Sequence, residues 1–99
     1  MGRKHSLDPF PASVRVTVTG RMPDDRVGET SADDGEVWIK IKTGPEEQEL
    51  GAAVHEAVHA VQFVEEWIGG RLDDETQAYL TQRIAQMAFA ELKKKRGER

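Results

Sequence analysis

The chain has 99 residues, of which 37% are hydrophobic and 32% are charged, and its formal net charge is -4. This length predicts a single small domain over residues 1–99 with a modest core, and the negative charge argues against a general nucleic-acid partner. The chain contains no cysteine, so any metal ligand must be His, Asp or Glu. Because no stretch is apolar and long enough to be a signal peptide or a membrane span, we expect a cytoplasmic protein with no membrane partner.

Two segments alternate between apolar and polar residues, as half-buried strands do. They cover residues 13–19 and 36–42, and we expect them to pair antiparallel. Pro9 and Pro11 predict that residues 1–12 form an irregular lead-in segment before the first strand. The Asp- and Gly-rich stretch 20–35 predicts a loop or a long hairpin connection. The alternating apolar residues are Val14, Val16, Val18, Val37, Ile39 and Ile41.

A helix is expected to begin near Pro45, since proline and the acidic residues after it suit a helix N-terminus. It should continue to about Ile68 and stop at Gly69–Gly70. A helical wheel of this segment has one apolar face, and we expect that face to pack on the sheet. This face consists of Leu50, Val54, Ala57, Val61, Val64 and Ile68.

Asp73 and Asp74 are suited to open a second helix that runs towards Lys95. The basic run 93–96 at its end is interpreted as a solvated tail rather than a binding patch, because cations suit a helix C-terminus. The element order predicts an α+β fold in which a small antiparallel sheet packs against two helices. The expected buried side of this helix consists of Leu80, Ile84, Ala85, Met87, Ala88, Phe89 and Leu92.

Within the first helix, His55, Glu56 and His59 form the pattern H-E-x-x-H. Residues four apart stand above one another on a helix, so both imidazoles can reach one cation. Glu56 lies one step round the helix, where it can act as general base in metal-assisted hydrolysis. The alternative is a helix that carries two solvent-exposed histidines and binds no metal.

A catalytic zinc site requires a third protein ligand. Glu66 is seven residues past His59, which is about 10 Å along a continuous helix and too far to share the ion. The second helix offers Glu75 in its first turn, with Asp74 as the rival. We favour Glu75, because Asp74 is also a natural helix cap, but Asp74 remains open as the alternative.

These residues resemble a known family. His55-Glu56-Ala57-Val58-His59 followed by Glu75 looks like the gluzincin class of zinc metallopeptidases, and residues 74–80 are similar to a segment of small phage-borne and ImmA/IrrE-type metallopeptidases. The resemblance implies a minimal zincin-like fold, a Zn²⁺ cofactor held by His55, His59 and Glu75, and Glu56 as base. It also implies that a peptide binds along a sheet edge, which would be Val37–Ile41.

No residue stands out as the stabiliser of an oxyanion. Tyr79, one turn after Glu75, could donate its hydroxyl as a catalytic group, or could be ordinary packing; Arg83 lies another turn on. The function expected from the sequence is zinc-dependent hydrolysis of a peptide or protein substrate. The alternative is a non-catalytic metal-binding or protein-interaction module, possible in phage or mobile-element biology.

Overall fold

The computed structural model describes residues 4–97, in which a four-stranded sheet carries two long helices on one face. The α+β class expected from the sequence is confirmed. The strands are β1 (Lys4–Ser6), β2 (Ser13–Thr19), β3 (Gly28–Asp33) and β4 (Glu36–Lys42), and the helices are α1 (Glu46–Ile68) and α2 (Asp74–Gly97).

The order of strands in the sheet is β1-β2-β4-β3, and it corrects the expected pairing. β2 and β4 are neighbours, but they run parallel, so the sheet is mixed rather than antiparallel. The reason is β3, which forms within the stretch 20–35 that was interpreted as a loop or a long hairpin connection. The chain reverses once to enter β3 and again to enter β4, so β4 returns in the direction of β2.

Two segments without a clear alternating pattern also form strands. β1 lies inside the expected lead-in and pairs antiparallel with β2, whereas residues 1–3 lie outside the described part. β3 joins β4 through Asp34 and Gly35, whose φ angles are 46° and 83°. A two-residue hairpin needs positive φ at both positions, which Asp tolerates and Gly adopts freely.

The face of the sheet under the helices is apolar, as the alternation predicted. Its buried side chains are Val14, Val16, Val37, Ile39 and Ile41. Trp38 and Lys40 alternate with these residues and are exposed on the opposite face. No helix within residues 4–97 combines the length and apolar character that crossing a membrane requires.

α1 has the expected ends, and half of its expected buried face is confirmed, because Ala57, Val61 and Val64 are buried. Leu50, Val54 and Ile68 were expected to pack on the sheet, yet each is at least 40% exposed. The helix is instead rotated so that small residues approach the strands closely, and two glutamates are buried beside them. The buried residues of α1 are Glu49, Ala52, Ala53, Glu56, Ala57, Ala60, Val61 and Val64.

α2 packs as the sequence predicted and runs back along α1. Asp73 caps its N-terminus, because its Oδ1 accepts the Thr76 N–H at 2.8 Å. Glu65 of α1 binds the turn between the helices by accepting the Leu72 N–H at 2.8 Å and Gln77 Nε2–H at 2.6 Å. Leu80, Ile84, Ala85, Ala88 and Leu92 are buried, and Met87 and Phe89 pack partly against the core.

The basic run at the end of α2 is only partly a solvated tail. Lys93, Lys94 and Lys95 are exposed, but Arg96 forms ion pairs with Glu46 and with Glu49, whose side chain is completely buried. Glu49 Oε2 also accepts the Gly44 N–H at 2.9 Å. Arg96 therefore joins the end of α2 to the start of α1, and it compensates a carboxylate that burial would otherwise penalise.

We predict that Arg96→Ala destabilises the fold by about 2 kcal/mol. Removing one partner of a fully buried ion pair costs roughly 3–5 kcal/mol, and the value here should be smaller since the Arg96 side chain is 35% exposed. Urea unfolding measures the change, and Lys94→Ala in the same turn is the matched control. An equal loss of unfolding free energy in the two variants would contradict a stabilising role for the ion pair between Arg96 and Glu49.

We also predict that the contribution of Gln77 to stability depends on pH. The hydrogen bonds from Gln77 and from the Leu72 N–H lower the pKa of Glu65, against the opposing effect of burial. A carboxyl with a lowered folded pKa stabilises the fold above its usual pKa, and this contribution is lost as pH falls through the lowered value. The difference in unfolding free energy between wild type and Gln77→Met should therefore be present at neutral pH and shrink in acid. A difference independent of pH would exclude this linkage.

Candidate metal centre

The two histidines of α1 converge as the spacing predicted. His55 Nε2 and His59 Nε2 are 3.2 Å apart, and the rings meet edge to face with centroids separated by 4.8 Å. Two nitrogens bound to one tetrahedral zinc at about 2.0–2.1 Å would be about 3.3–3.4 Å apart. The two side chains thus already have the separation of a pair of zinc ligands.

His59 is held from its other side by its own helix. Its Nδ1 lies 3.0 Å from Gln62 Oε1. Gln62 is three residues further along α1, so its side chain stands next to the imidazole. A hydrogen bond from the second ring nitrogen to a fixed acceptor is the usual way in which a metal-binding histidine is oriented.

Glu56 lies on the inner side of α1, where its carboxylate touches β3. It is only 6% exposed, and its Oε1 accepts a hydrogen bond from Thr30 Oγ1 at 2.6 Å. Gly28 provides the space beside it, since a Cβ at that position would lie 2.9 Å from Glu56 Oε2. β3 therefore positions this carboxylate by a hydrogen bond and by a close approach of its backbone.

These side chains border an open groove between β3 and α1, which we call the β3 groove. It comprises two adjoining cavities of about 470 and 430 Å³ that share Arg26, Gly28, His55 and Glu56. The first also contains Glu29, Thr30, His59, Gln62, Phe63 and Glu66, and the second contains Val27, Glu47, Gln48, Gly51 and Ala52.

The expected third ligand does not join the histidines. Within residues 4–97 no three His, Asp or Glu side chains are grouped closely enough to hold one metal ion. Glu75 and Asp74 are exposed at the start of α2, and neither lines the β3 groove. The helices are antiparallel, so α2 begins beside the end of α1, about 14 Å along the axis from His59 at 1.5 Å per residue.

The part of α1 that faces α2 differs from the part that carries the histidines. Val58 and Glu65 border Gln77 and Thr81 of α2. His55 and His59 border Gly28 and Thr30 of β3. Gln62 lies between these two sides and lines both cavities.

The candidate oxyanion stabilisers are also placed elsewhere. Tyr79 is 59% exposed on α2 and does not line the β3 groove. Arg83 donates to the carbonyl oxygens of Asp8 at 2.7 Å and Ser6 at 3.2 Å. Arg83 therefore fastens the N-terminal segment to α2 and has a structural role.

The sheet edge next to the histidines is β3 rather than Val37–Ile41. β4 is an inner strand with a neighbour on each side, so its backbone is already paired. Among the described strands β3 pairs only with β4, and its other edge faces the β3 groove. The expected edge was wrong because the sequence pattern did not reveal β3.

Three residues of the β3 groove, Thr30, Gly28 and Gln62, were not among those expected from the sequence. Thr30 and Gly28 lie on a strand that shows no apolar alternation, so no local pattern could have found them. Gln62 had a usable signal, because it is three residues past His59 and a neighbour on the helix surface.

Comparisons with models of known protein families, with curated proteins and with solved structures found no match. The resemblance to gluzincins and to a zincin-like fold therefore stays a prediction. The candidate centre rests on the geometry of the chain itself.

We predict that zinc affinity depends on the histidines and not on Glu75. His55→Ala and His59→Ala should each lower the affinity by more than about 100-fold, since loss of a ligand should exceed the roughly 10–100-fold effect of an outer partner. Glu75→Ala should change it by no more than about twofold, because an exposed charge beyond the Debye length is screened.

Zinc titration against a chelating dye measures these affinities, with about one ion per chain expected for the wild type. Glu66→Ala should be titrated in parallel, because Glu66 lines the β3 groove. A tenfold loss in Glu75→Ala would show that α2 reaches the metal after all.

Proposed function

We propose that this chain is a zinc-dependent peptidase that acts in the β3 groove. The observation that carries the proposal is the convergence of His55 and His59, with nitrogens 3.2 Å apart, beside the buried carboxylate of Glu56. A cation site next to a positioned base is the arrangement that hydrolysis of a peptide bond needs.

His55 and His59 would hold the metal through their Nε2 atoms. When bound, zinc would supply a Lewis acid that polarises a carbonyl group and makes water more acidic. The donors among the described residues fit two of the three positions of a catalytic site. The third donor would come from a second molecule or from a side chain that moves when the metal binds.

Glu56 would accept a proton from a water molecule in the groove. Thr30 binds Oε1, and no donor to Oε2 is found within residues 4–97. One oxygen of the carboxylate is thus held, while the other remains available. Gly28, which has no side chain, leaves the space beside the strand that Oε2 occupies.

An extended peptide is the substrate that the groove suits best. Within residues 4–97 no strand pairs with the groove side of β3 next to the histidines, and a peptide can bind such an edge as an added strand. This geometry supports a peptide or protein as substrate, and it would place the peptide backbone between β3 and α1.

A second candidate is a metal-binding or protein-interaction module without hydrolytic activity. The absence of a three-ligand group within residues 4–97 favours it. A histidine pair can bind a metal whose remaining ligands belong to a partner protein. The two candidates share the β3 groove and differ in whether Glu56 performs chemistry.

We predict that Glu56→Gln keeps zinc and the fold but lowers peptide cleavage by about 10²–10⁴-fold, the usual contribution of a general base. Gln retains an oxygen that can accept the Thr30 hydrogen bond, but it cannot accept a proton at neutral pH. Zinc content and cleavage of a mixed peptide library should be measured on the same samples.

Glu66→Gln is the matched control, because it removes one charge from the same groove at about 10 Å along the helix axis from His59. Unchanged cleavage in Glu56→Gln would remove Glu56 from the mechanism. Zinc bound without cleavage in the wild type would favour the binding module.

A further inference from the structure

We propose that Gln62 is a positioning residue that fixes His59 as the tautomer with its proton on Nδ1. The unprotonated Nε2 of His59 then points at the place that it shares with His55. This inference rests on the proposed metal centre for its purpose, but the tautomer exists in the metal-free protein and can be measured there.

Each ring nitrogen of His59 has one neighbour. Nδ1 lies 3.0 Å from Gln62 Oε1, and Nε2 lies 3.2 Å from His55 Nε2. An amide oxygen can only accept a hydrogen bond, so Nδ1 must carry the proton. In a neutral imidazole the other nitrogen then carries no proton. Nε2 of His59 therefore has a lone pair that can accept a hydrogen bond.

The same reasoning assigns the proton of His55 in the metal-free protein. The contact between the two Nε2 atoms needs one donor, and His59 has none to offer on that side. His55 therefore donates its Nε2–H to His59. A single proton lies between the two nitrogens, where a metal ion would otherwise bind, and only His55 has to move or release a proton to become a ligand.

Without Gln62 the fixed placement of the protons on the two rings would be lost. An imidazole with no fixed partner samples both tautomers, and in one of them the proton of His59 would occupy its own metal-binding nitrogen. A metal ion would then have to displace a proton from Nε2 of His55 or from Nε2 of His59. Partners that orient a ligating histidine typically change metal affinity by about 10–100-fold.

Long-range ¹H–¹⁵N correlation spectra of the imidazole rings test the proposal. The sequence contains only His5, His55 and His59, so untagged protein gives a spectrum with three rings. Spectra should be recorded without metal at mildly alkaline pH, where an ordinary imidazole is neutral. Zinc alone is then titrated into the same samples against a chelating dye.

Four proteins are compared. Wild type and Gln62→Glu both retain an oxygen acceptor and should show His59 protonated on Nδ1. Gln62→Ala should show a mixture of tautomers and about 10–100-fold weaker zinc binding. Gln82→Ala, an exposed position on α2, controls for loss of a glutamine side chain from a helix and should match the wild type.

The outcomes separate this inference from the proposed function. A wild-type His59 protonated on Nε2, or a tautomer unchanged in Gln62→Ala, would overturn it. An altered tautomer with unchanged zinc affinity would overturn the positioning role. If Gln62→Ala loses the Nδ1–H form and the wild type binds no zinc, the tautomer assignment is supported and the proposed metalloenzyme is rejected.

Discussion

Two buried carboxylates on one side of α1 constrain the rest of this structure. Glu49 and Glu56 are seven residues apart, or about two helical turns, and therefore face the same way. Burying a charge without a partner is strongly unfavourable. Each carboxylate has its own donors: the Gly44 N–H and Arg96 bind Glu49, and Thr30 binds Glu56.

These donors come from different parts of the fold, so they determine how α1 sits. Arg96 brings the end of α2 to the start of α1, and Thr30 brings β3 to its middle. With Glu49 and Glu56 turned inward, the alanines of α1 meet the sheet and the larger Leu50 and Val54 are left at the surface. A helix placed by its larger apolar residues alone would bury Leu50 and Val54 together with Val61 and Val64.

The rotation of α1 also creates the candidate centre. Successive residues on a helix are separated by about 100°, so turning Glu56 towards β3 leaves His55 and His59 at the mouth of the groove. Glu56 and the two histidines thus border one space although only Glu56 is buried. The two functions proposed for this space, hydrolysis and metal-dependent binding, share the fold and the β3 groove and differ in whether Glu56 performs chemistry.

The sequence by itself determined the features that depend on near neighbours along the chain. The ends of α1, the strands 13–19 and 36–42, the buried side of α2 and the convergence of His55 and His59 all follow from periodicity and spacing. Tertiary structure alone decided the features that depend on distant residues: β3 as a strand, the parallel pairing of β2 and β4, the hydrogen bond from Thr30 to Glu56, and the separation of Glu75 from the histidines. The physical reason is that a period identifies which faces of an element are apolar, whereas pairing and helix rotation are set by partners that lie far away in the sequence.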